Sequence, residues 1–386
     1  MRIDALPESA AIGPRRVASE FGAELDALDA ARLAAEGMAA TEADVDRALA
    51  AGYRDPADVA ALLSPAAGLR LEELACASRD LTCLRFGRTV RLFAPLYVSN
   101  ECLSGCVYCG FARGLPVSRR TLSLEEAEAE ARFLTGEGFR HILLVSGEHR
   151  VKVSPDYLAE LARRISGFVP SIAVETQTWE EPVYRDLVAS GVEGVVIYQE
   201  TYDRLTYPLV HIVGWKRNYE RRIAAVEAAG RAGARRLGIG VLLGLAPDWR
   251  ADVLAMVAHA RFLTREYWRA EVTVSFPRLR PCASGFLPAS PVADRELAQI
   301  ICAVRLALPD VGIVLSTRED AALRDGLLNL GVTHMSAGSR TDPGGYLHPD
   351  QAEGQFDISD ERPPGEVAAA LRAAGLDPVW KDWVRL

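Results

Sequence analysis

The chain has 386 residues, 49% hydrophobic and 25% charged, with a formal net charge of −8. It is long enough to bury a large core, and its acidic balance argues against general affinity for nucleic acid or anionic membranes. No apolar run reaches the ~18 residues of a membrane helix. Met1-Arg2-Ile3-Asp4-Ala5 also lacks an apolar signal core, so a cytoplasmic protein is expected. Seven cysteines in such a chain do not suggest a disulfide framework.

Residues 1–88 read as a helical extension. Ala- and Leu-rich segments such as Ala43–Leu49 and Leu71–Ala75 recur there without a β-branched run. From Thr89 the pattern changes. Short runs rich in β-branched residues, at 89–98, 141–147, 171–177, 194–200, 236–245, 271–277, 312–317 and 334–338, predict strands. Between them the spacing predicts amphipathic helices over 123–138, 154–168, 181–190, 218–232, 248–266 and 294–308. The first opens on Ser123-Leu124-Glu125-Glu126, a capping-box signature. Eight strands alternating with helices predict an α/β fold, a (β/α)8 barrel of the triosephosphate isomerase type over 89–340. The Gly/Pro-rich stretch after Thr341 leads to a short helix at 365–374. Residues 341–386 therefore read as a C-terminal extension packed on the barrel.

Cys102, Cys106 and Cys109 crowd into the sequence Asn100-Glu101-Cys102-Leu103-Ser104-Gly105-Cys106-Val107-Tyr108-Cys109. The spacing Cys-x3-Cys-x2-Cys follows the first strand, so it falls at the C-terminal mouth of the barrel, where barrel active sites sit. Three thiolates on one tight loop can bind three irons of a cubane cluster and leave the fourth open. Structural zinc usually takes four ligands in two separated pairs. The nearest histidine, His141, is too distant in sequence to complete one here. Cys76, Cys83, Cys282 and Cys302 read as core or near-core residues.

The cysteine motif, with its aromatic Tyr108, is similar to the hallmark of radical S-adenosylmethionine enzymes. The similarity runs from about residue 60 to the end. It includes Phe93–Asn100, Ser146-Gly147-Glu148-His149, Tyr198-Gln199-Glu200-Thr201-Tyr202, Gly238–Leu245, Ser275–Pro281, Ser316–Glu319 and Pro378–Trp383. In these segments the chain resembles the 2-iminoacetate synthases, the tyrosine lyases of thiazole biosynthesis. The resemblance implies one 4Fe–4S cluster on Cys102, Cys106 and Cys109, with S-adenosylmethionine as cofactor. Tyr108 would lie by the adenine, and Ser146, Gly147 and Glu148 would receive the methionyl amine. Leu243, in the apolar strand, would pack on the adenine. Glu200 would contact the ribose or methionyl group, and Arg204 or His211 the methionyl carboxylate. On the substrate side it implies Tyr97, Arg278, Arg280 and Arg318, with Arg280 holding the carboxylate and Tyr97 and Arg280 serving the chemistry. His149 is a candidate for the phenol.

The implied reaction takes one electron from reduced flavodoxin or ferredoxin and cleaves S-adenosylmethionine to a 5′-deoxyadenosyl radical. A hydrogen atom leaves the amino group of L-tyrosine and the Cα–Cβ bond breaks, giving 2-iminoacetate and, after reduction and protonation of the aromatic fragment, p-cresol. Hand-off of the labile 2-iminoacetate to thiazole synthase, for thiamine biosynthesis, is a further implication. A tryptophan lyase of the same group is the alternative, and a changed specificity would be sought first along Ile172–Trp179. The HydG branch carries a second cluster on C-terminal cysteines, and no cysteine follows Cys302. A non-enzymatic iron–sulfur scaffold is the reading from another class. It would have no use for Glu148, Glu200 and the two arginines.

Overall fold

The structure, a computed structural model, describes residues 19–349 and 351–381. The expectations for residues 1–18 and for Asp382 and Trp383 lie outside the described residues. Six helices come first: α1 (Glu20–Leu28), α2 (Ala30–Gly37), α3 (Glu42–Ala50), α4 (Pro56–Leu62), α5 (Pro65–Leu69) and α6 (Leu71–Phe86). The strands follow as β1 (Thr89–Ser99), β2 (His141–Ser146), β3 (Ser171–Glu175), β4 (Gly194–Glu200), β5 (Arg236–Val241), β6 (Glu271–Ser275), β7 (Gly312–Leu315) and β8 (His334–Ser336). The helices among and after them are α7 (Leu124–Gly136), α8 (Pro155–Ile165), α9 (Glu181–Ala189), α10 (Tyr207–Val210), α11 (Tyr219–Arg231), α12 (Trp249–Glu266), α13 (Asp294–Ala307), α14 (Ala321–Leu327) and α15 (Pro364–Ala373). A ninth strand, β9 (Asp377–Val379), closes the order.

All pairings are parallel, and β1 pairs with both β2 and β8, so the eight strands close into a barrel. Parallel strands buried on both faces explain the unbroken Val/Ile/Leu runs. The capping box at α7 forms as expected: Glu126 N donates to Ser123 Oγ at 3.1 Å, and Ser123 N donates to Glu126 Oε2 at 2.8 Å. Three elements escaped the sequence reading. α10 and α14 are only four and seven residues long, too short for a clear period, and β9 adds three residues to the start of β1. Nor are all four remaining cysteines in the core. Cys302 is buried, Cys76 and Cys282 are partly exposed, and Cys83 is exposed. Cys83 lies on α6, of which only Leu74 and Ser78 are buried, so the helix turns it to solvent.

The barrel has a closed floor and a worked mouth. At the floor Glu271 pairs with Arg91 and, at 3.2 Å, with Arg236, while His141 and His334 lie beside the arginines. Burial, and then the neighbouring arginine charges, hold both imidazoles well below the ordinary histidine range, so both are neutral. Above the floor the interior is nearly filled. A cavity of about 40 Å³ remains among Phe93, Leu143, Ala173, Val196 and Tyr198. These inward residues give the phase of their strands: Glu175, two positions past Ala173, and Tyr97, four past Phe93, also point inward, toward the mouth.

Residues 353–360 form a strap across that mouth. Asn100 Nδ2 donates to Glu353 O at 3.1 Å, and at the far end Ser359 N and Asp360 N donate to Thr317 O at 2.9 and 3.2 Å. The far end is locked by the Arg324–Asp360 ion pair, both side chains fully buried, with Arg324 Nη2 also donating to Ser336 O. Arg362 also pairs with Asp360, at 2.7 Å, so loss of Arg324 leaves the buried carboxylate one cation and leaves Ser336 O without this donor. Arg324→Met is expected to cost about 1–3 kcal/mol in a denaturant titration. The double variant with Asp360→Asn should recover part of that loss.

Candidate active site

The cysteine loop is clamped by three separate segments. The first is the end of β2. Gly147 N donates to Ser99 O at 3.0 Å, Leu103 N donates to Glu148 O at 2.9 Å, and Glu148 N points at Cys102 Sγ from 3.3 Å. Any Cβ at Gly147 would stand 2.5 Å from Glu101 O and 3.0 Å from Cys102 Cβ, so only glycine admits this approach. The second segment follows α10. Gly105 N donates to Val213 O, Ile212 N to Gly105 O, and Val107 N to Val210 O, at 2.9–3.1 Å, and Cys106 bridges His211. The third is the strap, where Gly110 N donates to Gln355 O at 3.1 Å.

Donors are aimed at the sulfurs. Besides Glu148 N on Cys102, Phe111 N lies 3.4 Å and Gln355 Nε2 3.8 Å from Cys109 Sγ. Burial, and then the neighbouring Cys109 sulfur, push the Cys102 thiol up to about 11, and burial raises Cys106 and Cys109 as well. Burial makes the three thiols resist ionising alone, while the N–H donors at Cys102 and Cys109 suit thiolates whose charge is neutralised by bound iron. Among the described residues no three Cys, His, Asp or Glu side chains converge as a ready single-ion site. A cubane, which takes one thiolate per iron, instead needs its sulfurs spread around it. The residues present therefore fit a cluster.

Beside the loop, Tyr108 is buried. Its hydroxyl donates to His211 Nε2 at 2.8 Å, and His211 Nδ1 donates to Tyr207 O at 2.9 Å. Burial, and then the charges of Lys216 and Arg222, hold His211 down to about 2. A neutral His211 offers no charge for a carboxylate. Glu148 accepts from Ser104 Oγ at 2.8 Å and pairs with Arg222 at 3.1 Å, and Arg222 Nε donates to Tyr198 O at 2.6 Å. Ser146 Oγ donates to Gly147 O at 3.0 Å.

Glu200 ends β4 at a register shift with φ +70°, a left-handed conformation that a non-glycine residue rarely adopts. It holds Lys216 Nζ at 2.7 Å, and Lys216 lies 5.7 Å from the centre of the Tyr108 ring. Burial and the Arg222 charge oppose the Lys216 ammonium, but Glu200 and its anionic neighbours more than offset them, so the lysine stays charged. Lys216 was missed in the sequence. The signal was available, since it is one of only three lysines in a chain whose other basic residues are arginine. Arg204 is not brought to this cluster. It pairs with Asp26 and Glu220 and stacks on Tyr219 at the partly exposed outer side of the barrel. Leu243 is buried, its N–H bonded to Pro277 O and its carbonyl to Leu279 N, which extends the β5–β6 pairing.

The two arginines after β6 part company. Arg278 is saturated by Glu319, Asp294 and Val292 O. Arg280 donates to Ser359 Oγ of the strap, while its buried Nε has no partner among the described residues. Two residues on, Cys282 Sγ points at Tyr108 O from 3.3 Å, so the arginine segment abuts the cysteine loop. Arg318 stacks on Phe356 of the strap at 3.4 Å, and the Tyr97 hydroxyl donates to Gln355 Oε1 at 2.8 Å. Glu175 also reaches the mouth, from β3. His149 accepts a backbone bond from Lys152 through Nδ1 at 3.2 Å, on the loop after β2.

Two family models match the chain: the Radical SAM superfamily over residues 96–257, and the Biotin and Thiamin Synthesis associated domain over residues 275–377. The 2-iminoacetate synthase of Escherichia coli (strain K12) is 44% identical over 345 residues, 89% of this chain and 91% of that one. That of Salmonella typhimurium is 42% identical over 343 residues, with the same coverage. Among solved structures, the FeFe-hydrogenase maturase HydG from Carboxydothermus hydrogenoformans superposes with a TM-score of 0.85 at 30% identity, covering 94% of this chain and 85% of that one.

The clamp at Gly147 makes a specific demand. Gly147→Ala should leave the barrel folded by circular dichroism yet hold well under the roughly four irons per chain of the parent after anaerobic reconstitution. Gly136→Ala, where a Cβ meets nothing within 4 Å, should load as the parent does.

Proposed function

The chain belongs to the 2-iminoacetate synthase family of the radical SAM superfamily, and from that membership we propose that it cleaves the Cα–Cβ bond of L-tyrosine to 2-iminoacetate and p-cresol. Cys102, Cys106 and Cys109 would hold the 4Fe–4S cluster, and Tyr108, Ser146, Gly147, Glu148, Glu200, Lys216 and Leu243 would surround S-adenosylmethionine. When bound, these groups supply a one-electron cleavage that yields a carbon radical able to take a hydrogen atom. The observation that carries the reading is the Cys282–Tyr108 contact, which joins the segment bearing Arg280 to the cysteine loop.

The residues then divide the work. Arg280, whose Nε–H has no partner among the described residues, is suited to a substrate carboxylate, because a guanidinium fork meets two oxygens at once. Arg278 is already saturated and is better placed to hold the rim through Glu319 and Asp294. Glu148 and Glu200 have their charges balanced by Arg222 and Lys216. They can shape a polar site without leaving bare charge in it.

Glu175 is the inward carboxylate with no hydrogen bond or ion pair among the described residues. Burial, and then the Glu200 carboxylate, push it up to about 7, against the opposing pull of Lys216, Arg318 and Arg222. Above that pH it is an anion fit to take a proton from the substrate ammonium, which leaves an amine N–H to be given up as a hydrogen atom. The strap covers the mouth and limits water, which would otherwise quench reactive fragments. A reduced flavodoxin or ferredoxin would deliver the electron. 2-Iminoacetate hydrolyses readily, which supports a direct hand-off to thiazole synthase.

Anaerobic reconstitution, addition of dithionite and S-adenosylmethionine, and mass spectrometry with each aromatic amino acid in turn test the reading. Formation of 5′-deoxyadenosine and p-cresol with tyrosine alone is expected. 5′-Deoxyadenosine without p-cresol would refute the substrate. For Glu175, kcat/KM of the parent should climb as pH rises through about 7, because the ionised carboxylate is the working form. The climb should be absent in Glu175→Gln, whose activity stays low on both sides.

A further inference from the structure

Gln355 sits where the strap meets both halves of the mouth. Its backbone N–H donates to Thr341 O at 3.1 Å, and its carbonyl accepts from Gly110 N at 3.1 Å, one residue past Cys109. A Cβ on Gly110 would stand 2.7 Å from Gln355 O and 2.8 Å from Gly354 O, so strap and cysteine loop are in backbone contact. The position of Gln355 is thus set by the main chain before its side chain does anything.

The side-chain amide then faces two ways. Its Oε1 accepts from the buried Tyr97 hydroxyl at 2.8 Å, and its Nε2 points at Cys109 Sγ from 3.8 Å. A side-chain amide is a rigid planar group with an acceptor at one corner and donors at the other. The reverse orientation would let Nε2 donate to the Tyr97 oxygen but would set the carbonyl oxygen against the sulfur and lose that donor. Tyr97 has a second tie to the same cysteine, since its ring packs edge-on against Phe111 at 5.9 Å and Phe111 N also points at Cys109 Sγ.

We propose that Gln355 is a positioning residue that links the cluster to the substrate side of the mouth. Its N–H stabilises negative charge on the Cys109 sulfur, while its carbonyl orients the Tyr97 hydroxyl. The inference rests on the preceding reading for the cluster at Cys109 and the substrate at Tyr97. A donor to a cluster-bearing sulfur favours the reduced, more negative cluster and so raises its potential. The same amide fixes where Tyr97 stands, so the electron-accepting and substrate-holding parts share one rigid group.

The test uses the reconstituted full chain, with the cluster potential followed by EPR-monitored redox titration and with KM and kcat measured for L-tyrosine. Gln355→Leu keeps the backbone contacts and removes both side-chain bonds. Parent-like iron content is expected, with a more negative midpoint potential and a KM for tyrosine raised several-fold more than kcat falls. Gln355→Glu keeps the acceptor for Tyr97 but sets an anion toward the sulfur, so the potential should fall while KM stays close to the parent. Tyr97→Phe should raise KM and leave the potential where it was. An unchanged potential in cluster-loaded Gln355→Leu and Gln355→Glu overturns the proposal alone. A parent chain that takes up no cluster overturns the enzymatic reading with it.

Discussion

The backbone approach of β2 to the cysteine loop at Gly147 is the constraint on which the rest of the mouth depends. With no room for a Cβ there, the end of β2 and the loop share hydrogen bonds in both directions, and the Glu148 N–H reaches Cys102. A loop of this length with no secondary structure of its own would otherwise sample many arrangements, each costing conformational entropy to abandon. The barrel meets that cost in advance. It fastens the loop to β2, to the segment after α10, and to the strap. Three cysteines close in sequence thereby become three sulfurs at set places around one volume.

A second principle governs the charges. The mouth holds several ionisable groups out of water, and most are neutralised in pairs: Glu148 with Arg222, Glu200 with Lys216, Arg278 with Glu319. Buried pairs of this kind add little net stability, but breaking one is expensive, so they hold geometry. Against this balanced background two groups stand out. Among the described residues, Arg280 keeps an N–H with no partner, and Glu175 a carboxylate with none. Opposite in charge, they match the two ends of an amino acid. The pattern separates residues that build the site from residues left open for what enters it.

Much of this was legible in the sequence. The strand runs were visible because parallel strands covered on both faces need uninterrupted β-branched residues, and Ser123 with Glu126 announced α7. The position of the cysteine motif just after β1 was also legible. Pairing across the fold was not legible. Arg204 and Lys216 are both bases near the end of β4, and only the three-dimensional path of the chain sends one to Asp26 and Glu220 outside and the other to Glu200 inside. Arg278 and Arg280 share a strand phase, yet Glu319 and the strap draw them apart. The strap lacks a periodic pattern, so Gln355, more than two hundred residues from Tyr97 and Cys109, left no local trace.

If this clamped loop carries a cluster with one iron open to S-adenosylmethionine, EPR of the reduced, reconstituted chain should change on anaerobic addition of S-adenosylmethionine. The g-values of the cluster signal are expected to shift, because an open iron gains ligands. A cluster signal that S-adenosylmethionine leaves unmoved would contradict the open iron and would favour a protein that merely carries its iron and sulfur.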